Sequence, residues 1–425
     1  MKFSFWLSAC VVAGSLACGH VWAQLVALPA DPPAGSPPAA GPPAGSVTLR
    51  AALDVAWQRA VAARESEGQR RRAEADRAVA ASFWAAPPSL ELSHRDDRLQ
   101  GNVGKRETEI GVAVPLWLPG QRTARASTAE AAAAHARAAE QVGRLRLAGE
   151  LREAAWQLAA LQAEAAQLDT QAQALKQLAD DVERRVSAGD LARADALAAQ
   201  AEQLAASALQ SDVRQRLQAA RGRWALLTGL RTAPDLTAAT TTDAPAATAA
   251  PHPELELASQ SAALARRRLD LLRHSRRDAP ELTVGLRQDV AGRAEASQGS
   301  LVVGLRLPFG TDDRNRPLEA AALAELDVAE THEQRLRERL ESDVAAARDA
   351  QRSADAQLEA ETARARLLRE RATLIDKSFS AGETALPDLL RAFAAAAQAD
   401  SAVARQTTAR GFARARLEQT LGLLP

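Results

Sequence analysis

Two short stretches, Ser187-Ala188-Gly189-Asp190 and Ser380-Ala381-Gly382-Glu383, each interrupt a long pattern of Ala, Leu, Gln and Arg, and six residues past each glycine stands an aspartate, Asp195 or Asp388. The step from Gly189 to Gly382 is 193 residues. At the same step Gly229, in Leu226-Leu227-Thr228-Gly229-Leu230, maps onto Gly422, in Thr420-Leu421-Gly422-Leu423. Pro115, after Gly111-Val112-Ala113-Val114, maps onto Pro308, after Gly304-Leu305-Arg306-Leu307. Landmarks sharing one register over this distance describe a single supersecondary unit written twice, not a short-period solenoid.

Around these turns the composition is that of long helices. Aromatic residues make up only 3% of the 425 and tyrosine is absent. Alanine, leucine, glutamine, arginine and glutamate dominate, as in coiled coils, where small and unbranched side chains suit an extended helix. Lys+Arg and Asp+Glu are equal at 53 each, so no net basic charge argues for a nucleic-acid partner.

The chain opens on Lys2, an apolar run from Phe3 to Ala17 diluted by small residues, and Val21-Trp22-Ala23, which reads as a cleaved export signal over 1–23. The run is shorter than the roughly 20 apolar residues of a membrane span. Leu7-Ser8-Ala9-Cys10 resembles a lipoprotein box but has almost no apolar segment before it, and Cys18 lacks the leucine expected three positions upstream. Both cysteines are therefore expected to leave with the signal, and no disulfide is expected in the mature chain. Residues 24–47 form a Pro/Ala-rich leader too poor in apolar groups to order itself. No later stretch resembles a transmembrane helix, so any passage through a membrane would have to use strands of a closed barrel.

The first repeat is expected over 48–230 and the second over 251–425, with a Thr/Ala/Pro linker at 231–250. Thr48 is a candidate N-cap for a helix whose Leu49, Leu53, Ala56, Trp57, Ala60 and Val61 recur at helical spacing up to about Trp84. Past Pro87-Pro88 the period changes to two, which predicts strands at about 89–95 and 106–116, joined by a polar connection carrying Gly101, Asn102 and Gly104. The second repeat predicts strands at about 281–290 and 299–308. Leu282, Val284 and Leu286 share one face of the third strand; Leu301, Val303, Leu305 and Leu307 share one face of the fourth, with Val302, Gly304 and Arg306 on the other. Such alternation suits a soluble hairpin packed on helices as well as a barrel strand.

From about Gln121 a proline-free helix is predicted to Val186, on the order of 100 Å at 1.5 Å per residue. Its apolar repeat is seven: Leu158, Ala165, Ala172, Ala179 and Val186 on one position, Leu161, Leu168, Leu175 and Val182 on the other. That is a coiled-coil seam, copied at the 193-residue step by Ala365, Ala372 and Phe379 with Leu368 and Ile375. Glycine at 189 and 382 supplies the left-handed residue that ends such a helix.

Catalytic signatures are missing. The sequence has no HExxH, no GxSxG and no paired cysteine ligands, and Gly104-Lys105 lacks the rest of a phosphate loop. His94, His135, His252, His274 and His332 are scattered, which argues against a metal site built on them. Neither an enzymatic activity nor a cofactor is expected. Asp195 and Asp388 stand just past the turns, and either first-turn helix capping or a functional role accounts for that position.

Four strands in one chain cannot close a membrane barrel, which needs eight or more. Two copies would supply eight strands around a filled interior, whereas three supply twelve and a lumen.

The order of elements, the duplication, and the motifs Arg184-Arg185-Val186-Ser187-Ala188-Gly189 with Asp195 and Phe379-Ser380-Ala381-Gly382 with Asp388-Leu389-Leu390 resemble the TolC-type outer-membrane factor family over nearly all of 48–425. Val114-Pro115-Leu116 with Gly120-Gln121-Arg122, and Leu307-Pro308-Phe309 with Arg314-Asn315-Arg316, are similar to its CzcC-like cation-efflux branch. The resemblance implies a mainly α fold with a β-barrel part: a homotrimer whose twelve-stranded barrel lies in the outer-membrane lipid of a Gram-negative bacterium, continued by a periplasmic helical tunnel. It also implies partners, a periplasmic adaptor and an inner-membrane resistance-nodulation-division pump, and heavy-metal cations as cargo. Ser187, Ala188, Gly189, Ser380, Ala381 and Gly382 would form the tip where the adaptor docks. Asp388, and with it Asp195, would stand at the tunnel entrance; the second acid of the family pattern is here Arg391. The named leucines and valines of the third and fourth strands would face lipid, Arg306 the lumen, and Trp84, Trp117 and Phe309 the membrane interfaces. The alternatives are a soluble periplasmic coiled-coil adaptor or spacer, or an outer-membrane factor serving drug efflux or type I secretion.

Overall fold

The computed structural model describes residues 47–99, 101–236, 251–309 and 312–425, residue 312 by its backbone alone. The expected signal, the leader before Val47 and linker residues 237–250 lie outside them. The described residues belong to one compact unit. Its elements run α1 (Leu49–Arg59), α2 (Val61–Ala81), β1 (Ser89–Asp96), β2 (Arg106–Pro115), α3 (Gln121–Ala188), α4 (Arg193–Thr228), α5 (Pro253–His274), β3 (Glu281–Val290), β4 (Gln298–Arg306), α6 (Asp312–Ser380) and α7 (Leu386–Thr420). From α2 onward the second set repeats the first: α2 corresponds to α5, β1–β2 to β3–β4, α3 to α6 and α4 to α7.

The Thr48 side chain caps α1 by accepting from the Ala51 N–H at 3.2 Å. The single helix expected from Thr48 is broken at Ala60, whose backbone is extended at φ −68 and ψ 139. The break lets α1 fold over α3 and α4 while α2 runs to the sheet.

All four repeat glycines adopt the left-handed conformation, with φ 90 at Gly189, 80 at Gly382, 78 at Gly229 and 75 at Gly422. At the first turn the Gly189 N–H donates to Val186 O (3.0 Å) and the Asp190 N–H to Arg185 O (2.9 Å); at the second the Gly382 N–H donates to Phe379 O and the Glu383 N–H to Ser378 O, both at 3.0 Å. These paired bonds satisfy carbonyls that a helix end leaves open, and only glycine meets their φ without a Cβ penalty of about 1 kcal/mol.

The strands form one antiparallel sheet in the order β1-β2-β3-β4, leaving β1 and β4 as open edges. Beside it the helices pack in the row α2–α3–α5–α6, and towards the glycine turns in the row α4–α3–α7–α6. The predicted seam does the packing on α3: Leu158, Leu161, Ala165, Leu175, Ala179 and Val182 are buried. A main cluster joins Leu49 and Leu53 of α1, Leu151 and Leu158 of α3, and Val213, Leu217 and Trp224 of α4. Leu230, Ala233 and Leu236 pack against it, so the beginning of the segment read as a linker is part of the core. There Trp224 Nε1 donates to Thr232 O at 2.9 Å, and Val47 pairs in parallel with Pro234.

Arg152, in the middle of α3, is buried. It donates to Gln419 Oε1 (2.5 Å) and Leu423 O (2.9 Å) and stands 3.7 Å from Glu418, tying the end of the chain to the central helix. Nearby, Gly411 of α7 lies against Trp156, where a Cβ would come within 2.0 Å of the ring. That close approach is why glycine is required inside an otherwise alanine-rich helix.

Candidate conduit surfaces

The sheet register sorts the strands into two unlike faces. Leu90, Val112, Val284 and Val303 form one cross-strand row, Leu92, Ile110, Leu286 and Leu301 the next, and Val114, Leu282 and Leu305 a third. Most of these side chains are solvent-exposed in the single chain, from Leu90 and Leu92 at 71% to Val112 at 44%. Leu307, just past β4, extends the band at 56% exposure. From Leu301 to Leu307 it is about 20 Å tall at roughly 3.3 Å per residue.

The opposite face carries glycine and charge. Glu91, Gly111, Gly285 and Val302 form one row; Ser93, Glu109, Arg287 and Ser300 another; Arg95, Glu107, Asp289 and Gln298 a third. Arg287 pairs with Glu107 at 2.8 Å and Asp289 at 3.0 Å, and Arg306 lies 3.8 Å from Glu281. Arg306 is thus on the charged face, away from the leucines. Beyond the apolar band the same face turns polar, with the row His94, Thr108, Gln288 and Gly299. A sheet with an apolar band on one face and charge on the other suits an environment that is apolar on one side and wet on the other. The aromatics stand beyond the strand ends: Trp84 stacks edge-to-face on Phe83 at 4.5 Å, Trp117 Nε1 donates to Ser82 O, and Phe309 is 90% exposed.

At the far end of the helices the two glycine turns come together. Ala179, Val182, Ala196, Ala199, Phe379, Leu386 and Leu389 form one buried cluster drawn from α3, α4, α6 and α7. The Arg185 guanidinium lies over the Phe379 ring at 5.1 Å, joining one turn to the other. Ser187, Ala188, Gly189, Ser380, Ala381 and Gly382 are all exposed on this end. Asp195 and Asp388 hold the same position in the first turns of α4 and α7 but are used differently. The Asp195 carboxylate accepts from the Ala192 N–H at 3.2 Å, capping its helix, whereas Asp388 Oδ1 is 2.5 Å from Arg391 Nη2 in an exposed ion pair.

A further feature, not singled out from the sequence, lies along the two edges. Leu197 and Leu204 are exposed on α4, 59% and 69%, and Leu367 and Leu374 on α6, both 60%. Leu197 follows Gly189 by eight residues and Leu374 precedes Gly382 by eight; Leu204 and Leu367 are each fifteen residues from the same glycines. At the 193-residue step Leu197, Leu204 and Leu367 correspond to Leu390, Ala397 and Ala174, which line one cavity of about 190 Å³ in the seam between α3 and α7. The edges therefore carry the same positions that meet inside the chain. The heptad spacing and its symmetry about the glycines were the sequence signal for them.

Among the described residues no group of three or more His, Cys, Asp or Glu side chains could hold a metal ion. No described helix is long and apolar enough to cross a membrane, which says nothing of a β-barrel.

No protein-family profile and no curated protein sequence matches the chain. Solved structures do. The outer membrane protein VceC of Vibrio cholerae superposes with a TM-score of 0.69 at 15% identity, covering 88% of this chain and 96% of its own. CusC, described as forming a transmembrane channel, gives 0.72 at 15% identity over 94% and 99%. The MtrE outer membrane channel of Neisseria gonorrhoeae gives 0.67 at 16% over 88% and 89%. At these identities the likeness is one of fold: the chain folds as the protomers of TolC-type outer-membrane channels do.

Proposed function

We propose that this protein is the outer-membrane channel component of a tripartite efflux system, a homotrimer conducting substrates passively from periplasm to exterior. The observation that carries the reading is that one chain leaves both a sheet edge and a helix edge open on each flank, with matching positions. β1 and β4 are unpaired at the two ends of the sheet, and α4 and α6 end the helix row with leucines at equal distances from the turns. Repeating the α7–α3 contact between α4 of one copy and α6 of the next continues the row, and three copies supply twelve strands. The apolar sheet face, with Leu282, Val284, Leu286, Leu301, Val303, Leu305 and Leu307, then faces lipid, and the charged face lines the lumen. A soluble adaptor or spacer has no use for an exposed apolar face of this extent.

In this reading the protein is exported on residues 1–23, and its glycine turns form the periplasmic tip that meets an adaptor and, through it, a resistance-nodulation-division pump. Asp388 lies at the entrance, with heavy-metal cations as the cargo suggested by the CzcC-like sequence patches. Planar-bilayer recording of the purified trimer tests the conduit: discrete conductance steps with cation preference are expected, and a protein that inserts without conducting would refute it. Asp388→Ala is expected to lower cation preference and relieve block by divalent ions. Unchanged preference and block would remove Asp388 from the entrance.

A further inference from the structure

Between α2, α3 and α5, near the sheet, lies a cavity of about 590 Å³. Its floor is small and apolar, Ala73, Ala129, Ala132 and Ala136 with Leu264 and Leu271 on its wall, and its charged lining is Arg72, Arg125 and Arg268 against the single carboxylate of Asp76. Among the described residues none of the three guanidiniums forms an ion pair. His135 is half-buried among them; burial, and then the charge of Arg268, hold its imidazole below the ordinary histidine range, so it offers a neutral hydrogen-bonding nitrogen at neutral pH.

The duplication shows that this chemistry is not demanded by the fold. At the 193-residue step Arg125 and His135 correspond to Leu318 and Val328 of α6, and Arg72 and Arg268 to Ala265 and Ala75. In the other copy these four positions are apolar, while Ala73, Ala132 and Leu264 correspond to Arg266, Glu325 and Arg71, so the two copies place their charges differently and the set of three arginines and a histidine is particular to this cavity. A volume in the range of small-molecule sites, an apolar floor and a few convergent cationic groups form the pattern of a ligand pocket, and guanidinium forks match the oxygens of phosphate. Along the helices, Arg125 lies four residues after Gln121 and Arg268 six before His274, within about 10 Å of the strand-proximal helix ends at 1.5 Å per residue.

We propose that this cavity binds a phosphate-bearing molecule, its anionic head held by Arg72, Arg125 and Arg268 and any apolar portion laid on the alanine and leucine floor. A phospholipid headgroup and a free phosphate share this chemistry, and the test separates them. The full-length trimer in neutral detergent is titrated with phosphatidylglycerol and followed by native mass spectrometry, and in parallel with inorganic phosphate by calorimetry at low salt. The same titrations are run on Arg125→Gln/Arg268→Gln, and on Ala132→Phe, which fills the floor without altering charge.

Binding of either probe to the wild type, weakened about tenfold or more in the double variant, supports the site; the probe that binds identifies the source. Loss of phosphatidylglycerol but not phosphate binding in Ala132→Phe supports the apolar floor as its bed. Failure of both probes to bind the wild type, or equal binding to wild type and double variant, overturns the proposal. Because binding is read on the purified trimer, the result stands apart from whether the channel conducts.

Discussion

α3 and α6 are one helix written twice, 68 and 69 residues long, yet they occupy opposite situations. α3 is packed on both flanks, by α2 and α5 near the sheet and by α4 and α7 towards the turns, and it carries the buried Arg152 that binds the end of the chain. Among the described residues α6 has neighbours on one flank only, α5 and α7, and it exposes Leu318, Leu323, Val328, Leu367 and Leu374. A duplicated unit whose first copy is interior and whose second is marginal is what an arc of the proposed ring requires. In the proposed trimer, what α3 finds within the chain α6 would find in another chain.

The largest expected effect comes from the sheet at the same margin. Val303→Asp puts a carboxylate in the middle of the apolar face of edge strand β4, at a cost on the order of 2 kcal/mol per copy in lipid. With three copies the heat-modifiable trimer should vanish from the outer membrane. A normal trimer yield would show that this face does not meet lipid and would break the comparison at its strand end.

Next come paired leucine truncations. Leu158→Ala on α3 opens a cavity in a fully packed site and should destabilise the chain by about 2–5 kcal/mol. Leu367→Ala on α6 removes a side chain that is 60% exposed in the single chain, so the protomer should keep its fold. Its effect should appear instead as a lower dissociation temperature of the trimer. If dissociation is unchanged, α6 is a solvent-facing edge and the contrast loses its meaning.

The smallest effect concerns a position where the two helices differ in chemistry. The His135 imidazole on α3 has its pKa lowered first by burial and then by Arg268, so the folded chain binds fewer protons there than the unfolded chain. The associated stability is present above about pH 6.5 and is lost as pH falls through the lowered folded value. His135→Gln should therefore flatten the acid side of the melting-temperature profile between about pH 7 and 5. A profile as steep as that of the wild type would assign the acid sensitivity elsewhere. Val328, the corresponding residue of α6, has nothing to titrate.

Much of this architecture was legible in the sequence because it rests on periodic patterns. The 193-residue step found the four left-handed glycines, and the seven-residue repeat found the side chains that α3 buries. Alternation in Leu282–Leu286 and Leu301–Leu307 placed those residues on one face, and the register aligned them with Leu90, Leu92, Ile110 and Val112 of the first hairpin. What escaped reading depends on contacts between distant segments. Nothing local marks the break at Ala60, which is set by α1 turning onto α3 and α4. The Gly411–Trp156 contact joins residues far apart in the chain, and nothing local separates Arg152 from the surface arginines of a polar helix. The candidate entrance acids were legible only as positions: sequence placed Asp195 and Asp388 alike, while the structure gives one a backbone partner and the other Arg391.

The most direct test of the ring is disulfide cross-linking across the proposed seam, in a mature chain expected to hold no cysteine of its own. Leu204→Cys with Leu367→Cys, both fifteen residues from their turns, should yield a covalent trimer on mild oxidation in the membrane. Leu197→Cys with Leu367→Cys is displaced by seven residues, about 10 Å along the helix and beyond disulfide reach, and should not. Absence of a cross-linked trimer from the first pair, or equal cross-linking by both, would contradict the account.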